Sequence, residues 1–300
     1  MTISEGTVES AQQTPTAVAT GGGRAILRRF LRHRIAVFGA LLLIALVVCT
    51  FGATWIAPSP QGAQDLALGP TQPSGAHLLG TDELGRDYLS ELLFAGRISL
   101  TIGIFVALIA TTVGTFFGAV AGLAGGLVDE AIMRGTDLFL IVPGIAILAL
   151  ALEGLGSSPA TIVLVLAALG WTYIARVVRA QVLSLREKEF VDAARVIGAS
   201  TTRILVRHLL PNLAGVIAVN ISLATAAAII AESTLSFLGF GVQPPRTSWG
   251  NMLSQAAGVV GTDHVYLLYF PGIFILLTVL SINFIGDGLR DALDPQAKQL

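Results

Sequence analysis

Long stretches without a charged side chain are the feature that most limits what this chain can fold into. Four of them lack any Asp, Glu, Lys or Arg, and a fifth holds one glutamate: residues 35–57, 98–128, 212–231, 265–286 and, with Glu153, 138–175. A helix rises about 1.5 Å per residue, so the first stretch would extend about 34 Å. The hydrocarbon core of a bilayer is about 30 Å thick. The sequence therefore predicts an all-helical integral membrane protein.

The fifth stretch is too long for one crossing of the bilayer. Near its middle lie Gly154, Gly156 and Pro159, which favour a turn. We expect two spans there, roughly 138–153 and 160–178, joined by a tight outer turn. The first stretch is much longer than the roughly 7–15 apolar residues of a signal peptide, so we expect it to remain as an uncleaved span. The prediction is six transmembrane helices.

The polar segments between the spans set the expected organisation. The small and polar residues 1–23 predict disorder. The expected regions are a cytoplasmic tail, a first span, an outer loop, a transmembrane core and a second cytoplasmic tail: residues 1–34, 35–57, 58–97, 98–286 and 287–300. With the N-terminus inside, 15 of the 18 Lys and Arg residues face the cytoplasm, where positive charge accumulates. Both termini are therefore expected to be cytoplasmic.

Composition and motifs exclude several classes of function. The net charge of −1 offers no basis for binding nucleic acid. Lys188 and Lys298 are the only lysines and neither follows a glycine, so any ATP hydrolysis must occur on another polypeptide. The single cysteine, Cys49, lies in an apolar stretch and is expected to act as a small hydrophobic residue. Neither a metal-ligating cluster nor a catalytic serine motif is present in the sequence.

Four glycines recur at every fourth position near the end of the second span: Gly114, Gly118, Gly122 and Gly126. This spacing places them on one face of a helix, where a neighbouring helix can approach closely. We expect helix packing there rather than chemistry.

The polar segment 186–211 is the most informative part of the second half of the chain. Phe190, Val191, Ala194 and Ile197 recur at helical spacing, with charged residues opposite them. This pattern predicts a short amphipathic helix. Such a helix could dock a soluble partner or could lie in the membrane interface, and the physical pattern leaves both alternatives open.

The rest of this segment predicts a second short helix. Gly198 favours the end of the first one, and Ser200 or Thr201 can cap the next. Pro211 is expected to end the second helix, which reaches about His208, before the following span begins.

The same segment resembles the Glu-Ala-Ala loop of bacterial ABC importer permeases. In that family the loop sits in a cleft of the ATPase subunit and passes its motion to the pore. This sequence has an Asp in place of the usual Glu, which keeps the charge, and a His where an aliphatic residue is common. The resemblance assigns ATPase coupling to seven residues: Asp192, Ala193, Ala194, Gly198, His208, Leu210 and Pro211.

Three further motifs resemble the C-type permease of dipeptide and oligopeptide importers. They lie at 77–99, 235–251 and 286–295, and the whole resemblance covers roughly residues 30–295. Nickel permeases share most of these motifs, so a nickel or other small-solute importer is the alternative function. A freestanding channel or an intramembrane enzyme is disfavoured, because it would more often have an ionisable or catalytic group at mid-span.

The resemblance implies a type I ABC importer permease fold in the bacterial plasma membrane. It implies that this subunit pairs with a B-type permease to enclose a pathway for peptides by alternating access. It also implies two partner subunits that bind ATP and Mg²⁺, with no cofactor on this chain, and an extracytoplasmic binding protein that delivers the substrate. The chain itself is not expected to be an enzyme.

Polar residues of the fifth span are candidates for lining the pathway. Ser222, Thr225, Glu232 and Ser233 fall within an arc of about 100° on a helix, while Asn220 points away. Polar groups within a span usually face a bundle interior or a water-filled path. Ser and Thr can also be satisfied by their own preceding turn, so both alternatives stay open.

Outside the membrane, the segment from Gly80 to Asp87 places three carboxylates around Arg86. A cation site is conceivable there. A tight turn at Gly80 and Gly85, closed by an Arg–Asp pair, is the favoured interpretation.

Overall fold

The computed structural model describes residues 23–141 and 143–293, and this part of the chain is all-helical, as predicted. The disorder predicted for residues 1–23 falls almost entirely outside the described residues, as does residue 142 and the end of the second tail. In order, the α-helices of the described part are α1 (Gly23–Arg32), α2 (Arg34–Phe51), α3 (Ala53–Ile56), α4 (Tyr88–Ala124), α5 (Gly126–Ile141), α6 (Gly144–Leu155), α7 (Pro159–Arg186), α8 (Glu189–Val196), α9 (Thr201–Ile204), α10 (Leu210–Phe237), α11 (Trp249–Gln255) and α12 (Tyr266–Leu293). A π-helical turn over Leu205–Leu209 joins α9 to α10.

Five helical units are long and apolar enough to cross a membrane: α2, α4, α7, the continuous α9–α10 unit and α12. The α5–α6 pair passes the same test only when taken together, and it is bent by 85°. Pro143 immediately precedes α6 with ψ 111°, a conformation through which a helix cannot continue. A bent pair therefore replaces the straight span that was predicted over 138–153.

The register between α4 and α7 shows that the bent pair is one crossing. Gly114 lies against Ile174, and eight residues later Gly122 lies against Val182. Because the contacts advance together along both helices, α4 and α7 are parallel. Parallel neighbours require that the chain crosses back once between them, and α5–α6 is the segment that does so. The bundle thus has six crossings within the described residues.

Three of the four predicted glycines form this contact with α7. A Cβ on Gly114 would lie 2.7 Å from the Cβ of Ile174, and one on Gly118 would collide with a backbone oxygen of α7. Gly126 departs from the prediction, since nothing lies within 4 Å of its Cβ position. The reason is that α4 ends one turn early: Gly125 and Gly126 both have positive φ, which ends a helix.

Glycines also seat α12 between its two neighbours. A Cβ on Gly39 of α2 would lie 2.8 Å from the Cβ of Phe284, and one on Gly286 would lie 3.1 Å from the Cβ of Ser222 on α10. Helices in lipid gain little from burying apolar surface, so they associate where small residues let their backbones approach. α12 therefore packs against both α2 and α10.

α4 begins at Tyr88, well before the start predicted at residue 98. Asp87 caps it by accepting a hydrogen bond of 2.9 Å from the N–H three residues on. The charges that suggested a loop are satisfied: Glu91 accepts a 2.8 Å bond from a loop N–H, and Arg97 donates a 2.8 Å bond to a carbonyl near the end of α2. The connection between α3 and α4 therefore ends at Asp87, and not at residue 97.

Residues 57–87 fold over one end of the bundle, beside α11 and the start of α12. The hydroxyl of Tyr266 lies 2.7 Å from the carbonyl oxygens of both Thr71 and Thr81, which ties the connection to α12. We call this end the α11 end of the bundle. The opposite end, where α7 leads into α8, is the α8 end.

The carboxylates near Arg86 form a tight turn. Gly80 and Gly85 have φ of +79° and +67°. Asp82 accepts hydrogen bonds from two backbone N–H groups of the turn at 2.9 and 3.0 Å, and it pairs with the Arg86 Nε at 2.6 Å. The structure therefore contains the favoured alternative, a tight turn at Gly80 and Gly85 that is closed by an Arg–Asp pair.

Candidate coupling segment

α8 ends in a defined turn at Gly198. The Ala199 N–H donates to the Ala194 carbonyl at 3.0 Å, and the Gly198 N–H donates to the Arg195 carbonyl at 2.9 Å. These two bonds make up a Schellman motif, which needs a left-handed residue at Gly198. Its φ is +81°, and nothing lies within 4 Å of the position that a Cβ would take. The turn is therefore strained for any other residue, and its outer side is open.

The second helix of the segment runs on into a span. Ser200 caps α9 by accepting a 3.3 Å hydrogen bond from the N–H three residues on. The prediction that Pro211 ends this helix is wrong, because a π turn over 205–209 leads directly into α10. A proline ring crowds the carbonyl four residues back, and the wider π turn relieves that crowding. The Asn212 side chain then donates to the His208 carbonyl at 2.6 Å.

One face of α8 packs against the bundle. Val191 and Ala194 are buried in the main apolar cluster, together with residues of α7 and of the π turn. Phe190 is half-buried beside them, with its ring 6.4 Å from that of His208. This face anchors the segment to the spans.

The other side of the turn exposes two large apolar side chains. Val196 is 87% exposed and Ile197 is 84% exposed. The sequence placed Ile197 on the same apolar face as Val191 and Ala194, but α8 ends at Val196, one residue before the predicted end, and Ile197 does not pack with them. The structure thus brings an open apolar pair next to the open side of Gly198. We call Val196, Ile197 and Gly198 the apolar tip.

The other predicted coupling residues are divided between the exposed outer face of α8 and the start of α10. Asp192 and Ala193 are exposed on the outer face of α8, and Asp192 forms an ion pair of 2.9 Å with Arg195. Leu210 packs partly buried against the main apolar cluster, while Pro211 is exposed on the first turn of α10. The segment therefore has an inward anchor and an outward surface.

Ion pairs that the sequence did not predict fix α7, the support of α8. Arg179 binds both carboxylate oxygens of Asp129 on α5. Arg186, the last residue of α7, donates a 3.0 Å hydrogen bond to the Gly122 carbonyl near the end of α4. The charges were visible in the sequence, but their pairing depends on the packing of α5 and α4 against α7.

The four candidate pathway residues of α10 are buried inside this subunit. Ser222, Thr225, Glu232 and Ser233 all have little or no exposed surface, and Glu232 has none. The first two donate to their own preceding turn, at 3.4 and 2.7 Å. Asn220, which was expected to point away from these four residues, is also buried, and its direction stays a prediction. Their part in lining a pathway stays a prediction, and within this chain they lie between packed helices.

Two family models match the chain. The first is described as the inner membrane component of binding-protein-dependent transport systems and matches residues 114–299. The second is the N-terminal TM domain of oligopeptide transport permease C and matches residues 23–73.

Curated proteins of several bacteria are similar over most of their length. The dipeptide transport system permease protein of Bacillus subtilis is 39% identical over 91% of this chain and 85% of the relative. The oligopeptide transport system permease protein of Haemophilus influenzae is 40% identical over 90% of this chain and 87% of the relative. That of Mycobacterium tuberculosis is 38% identical, over 92% and 95%.

A solved structure shares the fold. A chain from the inward-facing methionine ABC transporter MetNI superposes with a TM-score of 0.54 and 18% identity, over 68% of this chain and 96% of that chain. At this identity the likeness shows the architecture alone, which is that of an ABC importer permease.

Proposed function

The chain belongs to the family of inner membrane components of binding-protein-dependent transport systems, and we propose that it forms half of the pathway by which a bacterial cell imports dipeptides or oligopeptides. Similarity to dipeptide and oligopeptide permeases over about nine-tenths of the chain supports the peptide substrate. Within the family the chain is a multi-pass transporter component and not an enzyme. A related permease subunit would enclose the other half of the pathway.

The apolar tip is the observation that supports ATP coupling most directly. Adjacent large apolar side chains on an exposed turn are typical of contact sites, and Val196 and Ile197 are such a pair. An ATP-binding subunit whose cleft receives Val196 and Ile197 would bury both. ATP and Mg²⁺ would be bound there, on two such partners, and this chain would hold no cofactor.

The anchors of the segment determine where its motion would go. Val191 and Ala194 pack against α7 and the π turn, and Arg186 at the end of α7 donates to the end of α4. α9 also runs without a break into α10. A displacement of the apolar tip would therefore move α4, α7 and α10 together, which is what alternating access requires of one half of a pathway.

The proposed orientation places the α8 end in the cytoplasm and the α11 end outside. Most Lys and Arg residues then face the cytoplasm, where ATP is available. The α11 end would receive the peptide from an extracytoplasmic binding protein.

Reconstitution tests the proposal. The chain is purified with the subunits that co-elute with it and placed in vesicles together with the binding protein. We expect ATP-dependent uptake of a labelled dipeptide or tetrapeptide, and no uptake of nickel. Uptake of nickel alone would favour the small-solute importer. Uptake without ATP, or purification without an ATP-binding subunit, would contradict the importer assignment for this chain.

A further inference from the structure

A carboxylate lies fully enclosed where α4, α10 and α11 meet. Glu232, on α10, has no exposed surface. The ion pairs of the described residues do not include it. A buried carboxylate without a counter-charge must be compensated by hydrogen bonds. The hydrogen bonds to Glu232 come from serines on two helices.

One chain of hydrogen bonds reaches the carboxylate through α4. The backbone N–H of Trp249, the first residue of α11, donates to the hydroxyl of Ser99 at 3.1 Å. Ser99 in turn donates to the Oε2 of Glu232 at 3.4 Å. Ser99 thus links the start of α11 to α10.

A second chain reaches the other oxygen. The N–H of Asn251 donates to the hydroxyl of Ser248 at 3.2 Å, and Ser248 lies 3.4 Å from the hydroxyl of Ser236. Ser236 donates to the Oε1 of Glu232 at 2.7 Å. Since a hydroxyl has only one proton, Ser236 uses its proton on Glu232, and the proton of Ser248 is available to Ser236 or to the carboxylate itself.

Both chains begin at N–H groups of the first turn of α11 and end on one carboxylate. A carboxylate accepts hydrogen bonds at both oxygens, so it sets the direction of every hydroxyl along the way. Around them α11 fits tightly: the Trp249 indole N–H donates to the Leu92 carbonyl at 2.9 Å. A Cβ on Gly96 would lie 2.6 Å from the indole ring.

We propose that Glu232 is a positioning residue that fastens α11 to α10, so that α11 moves with the coupling segment during import. The α9–α10 unit is one continuous helix from residue 201 to residue 237, with the coupling segment at its start and Glu232 near its end. Motion that enters at the α8 end therefore reaches the α11 end along this helix. The proposal rests on the proposed function, because import is what this movement serves.

Glu232→Gln in the purified complex is the central variant. Glutamine has nearly the same shape, but its amide nitrogen cannot accept a hydrogen bond, so one of the two chains must break. Thr278→Ala is the matched control: Thr278 is a buried hydroxyl on α12 that donates to its own preceding turn at 2.7 Å. Ser99→Ala breaks the first chain without touching the carboxylate, and it replaces Glu232→Gln if that variant does not assemble.

The first measurement reports whether α11 is held. A reporter cysteine replaces Met252, which lies on the buried face of α11, after the native thiol is removed by Cys49→Ala. A hydrogen bond lost from a buried group, which leaves its partner unsatisfied, corresponds to about tenfold in an equilibrium. We expect thiol labelling in Glu232→Gln and Ser99→Ala to be about tenfold faster than in the control. Equal labelling in all of them would overturn the proposal.

The second measurement reports whether α11 moves with the coupling segment. We expect Glu232→Gln to hydrolyse ATP at the rate of the control but to import fewer peptides per ATP, with the maximal rate lowered and the half-saturating peptide concentration unchanged. An unchanged ratio would overturn the coupling role, and a changed half-saturating concentration alone would indicate direct contact with the peptide. If the unmodified complex imports no peptide, the proposed function fails, while the labelling result still decides whether Glu232 holds α11.

Discussion

Two sites, one at each end of the bundle, are built in opposite ways. At the α8 end, Val196 and Ile197 are almost fully exposed beside a glycine that has open space around it. At the α11 end, Trp249 and Glu232 have no exposed surface, and every polar contact of Glu232 is supplied by the same chain. Under the proposed function, an ATP-binding subunit covers the apolar tip. The site around Glu232 is completed by the chain itself, although Trp55 and Leu66 at the same end are exposed, so α11 can move as a rigid part of the subunit.

The difference separates stability from function. A substitution at a completed site removes contacts that the folded subunit already has. The free energy of unfolding of the subunit therefore falls. A substitution at an open site removes contacts that only the assembled transporter makes. The same chemical change should therefore affect folding at one end and docking at the other.

The largest effect on stability is expected at the α11 end. Trp249→Ala removes a buried indole and its hydrogen bond to Leu92, and it should lower the free energy of unfolding by about 3–5 kcal/mol. Thermal unfolding of the purified complex measures this. Trp55→Ala is the control, since Trp55 is 88% exposed and should shift the curve little. Similar curves for both variants would contradict the description of the site around Trp249 and Glu232 as completed within the chain.

The next effect is expected on transport without any change in folding. Gly198→Glu puts a charge on the apolar tip and should weaken ATPase docking by a few kcal/mol, or about a hundredfold, if the tip is buried there. The variant should insert and assemble with its partner permease, yet fail to import peptide. ATPase association and uptake at equal membrane expression measure the effect.

Gly156→Glu is the matched control for backbone strain. Gly156 has the same φ of +81° and nothing within 4 Å of its Cβ position, but it lies in the turn before α7. The Gly156→Glu variant should therefore import peptide at the normal rate. Import at the normal rate by Gly198→Glu as well would show that this segment is not the coupling element.

A smaller effect is expected from shortening the tip. Val196→Ser or Ile197→Ser should each weaken ATPase binding by about 1.5–3 kcal/mol, the value of burying one such side chain. The free energy of unfolding should stay the same, since both are exposed in the subunit. The dissociation constant of the ATPase from the purified permease complex measures this. Leu66→Ser, on an exposed residue of the α11 end, is the control, and an equal loss there would argue against a specific tip.

The smallest effect is expected at Asp192. Its ion pair with Arg195 is exposed on both sides, and such pairs contribute about 0–1 kcal/mol. Asp192→Asn should therefore leave stability unchanged and reduce ATPase affinity by less than tenfold. Titration at low and high salt measures it. A larger loss of ATPase affinity that persists in high salt would show that Asp192 forms an ion pair with a cationic side chain of the partner in an interface from which water is excluded.

The transmembrane segments could be predicted from the sequence because the bilayer imposes them. An uncharged stretch long enough to span is a helix whatever its neighbours are, since lipid offers its backbone no other hydrogen-bond partners. The charges of Glu91 and Arg97 concealed the true start of α4, because their partners lie in another part of the chain. The bend between α5 and α6 was not predicted, because the span over 138–153 was assigned from its apolar composition. Composition indicates that a segment enters the membrane but not the direction in which its helix runs.

In the candidate coupling segment, too, some features follow from local sequence and others depend on tertiary packing. The turn at Gly198 follows from local chemistry and was predicted, while the exposure of Ile197 depends on α8 ending one residue earlier. The continuation of α9 through Pro211 depends on a π turn, which has no sequence signal of its own. The position of the proposed contact surface in the chain could therefore be predicted from the sequence. Which of its side chains are exposed, and where its helices end, could not.

By itself, the sequence determined which segments enter the membrane and where α4 can approach a neighbour through Gly114, Gly118 and Gly122. Both depend on the length and composition of single helices. The transfer of each helix from water to lipid is decided by its own residues and does not depend on its neighbours. Only the tertiary structure decided that α4 and α7 run parallel and that Glu232 gathers hydroxyls from Ser99 and Ser236. Partners more than a hundred residues apart in the chain, such as Ser99 and Glu232, become neighbours only when whole helices pack, and no pattern within either helix specifies that register.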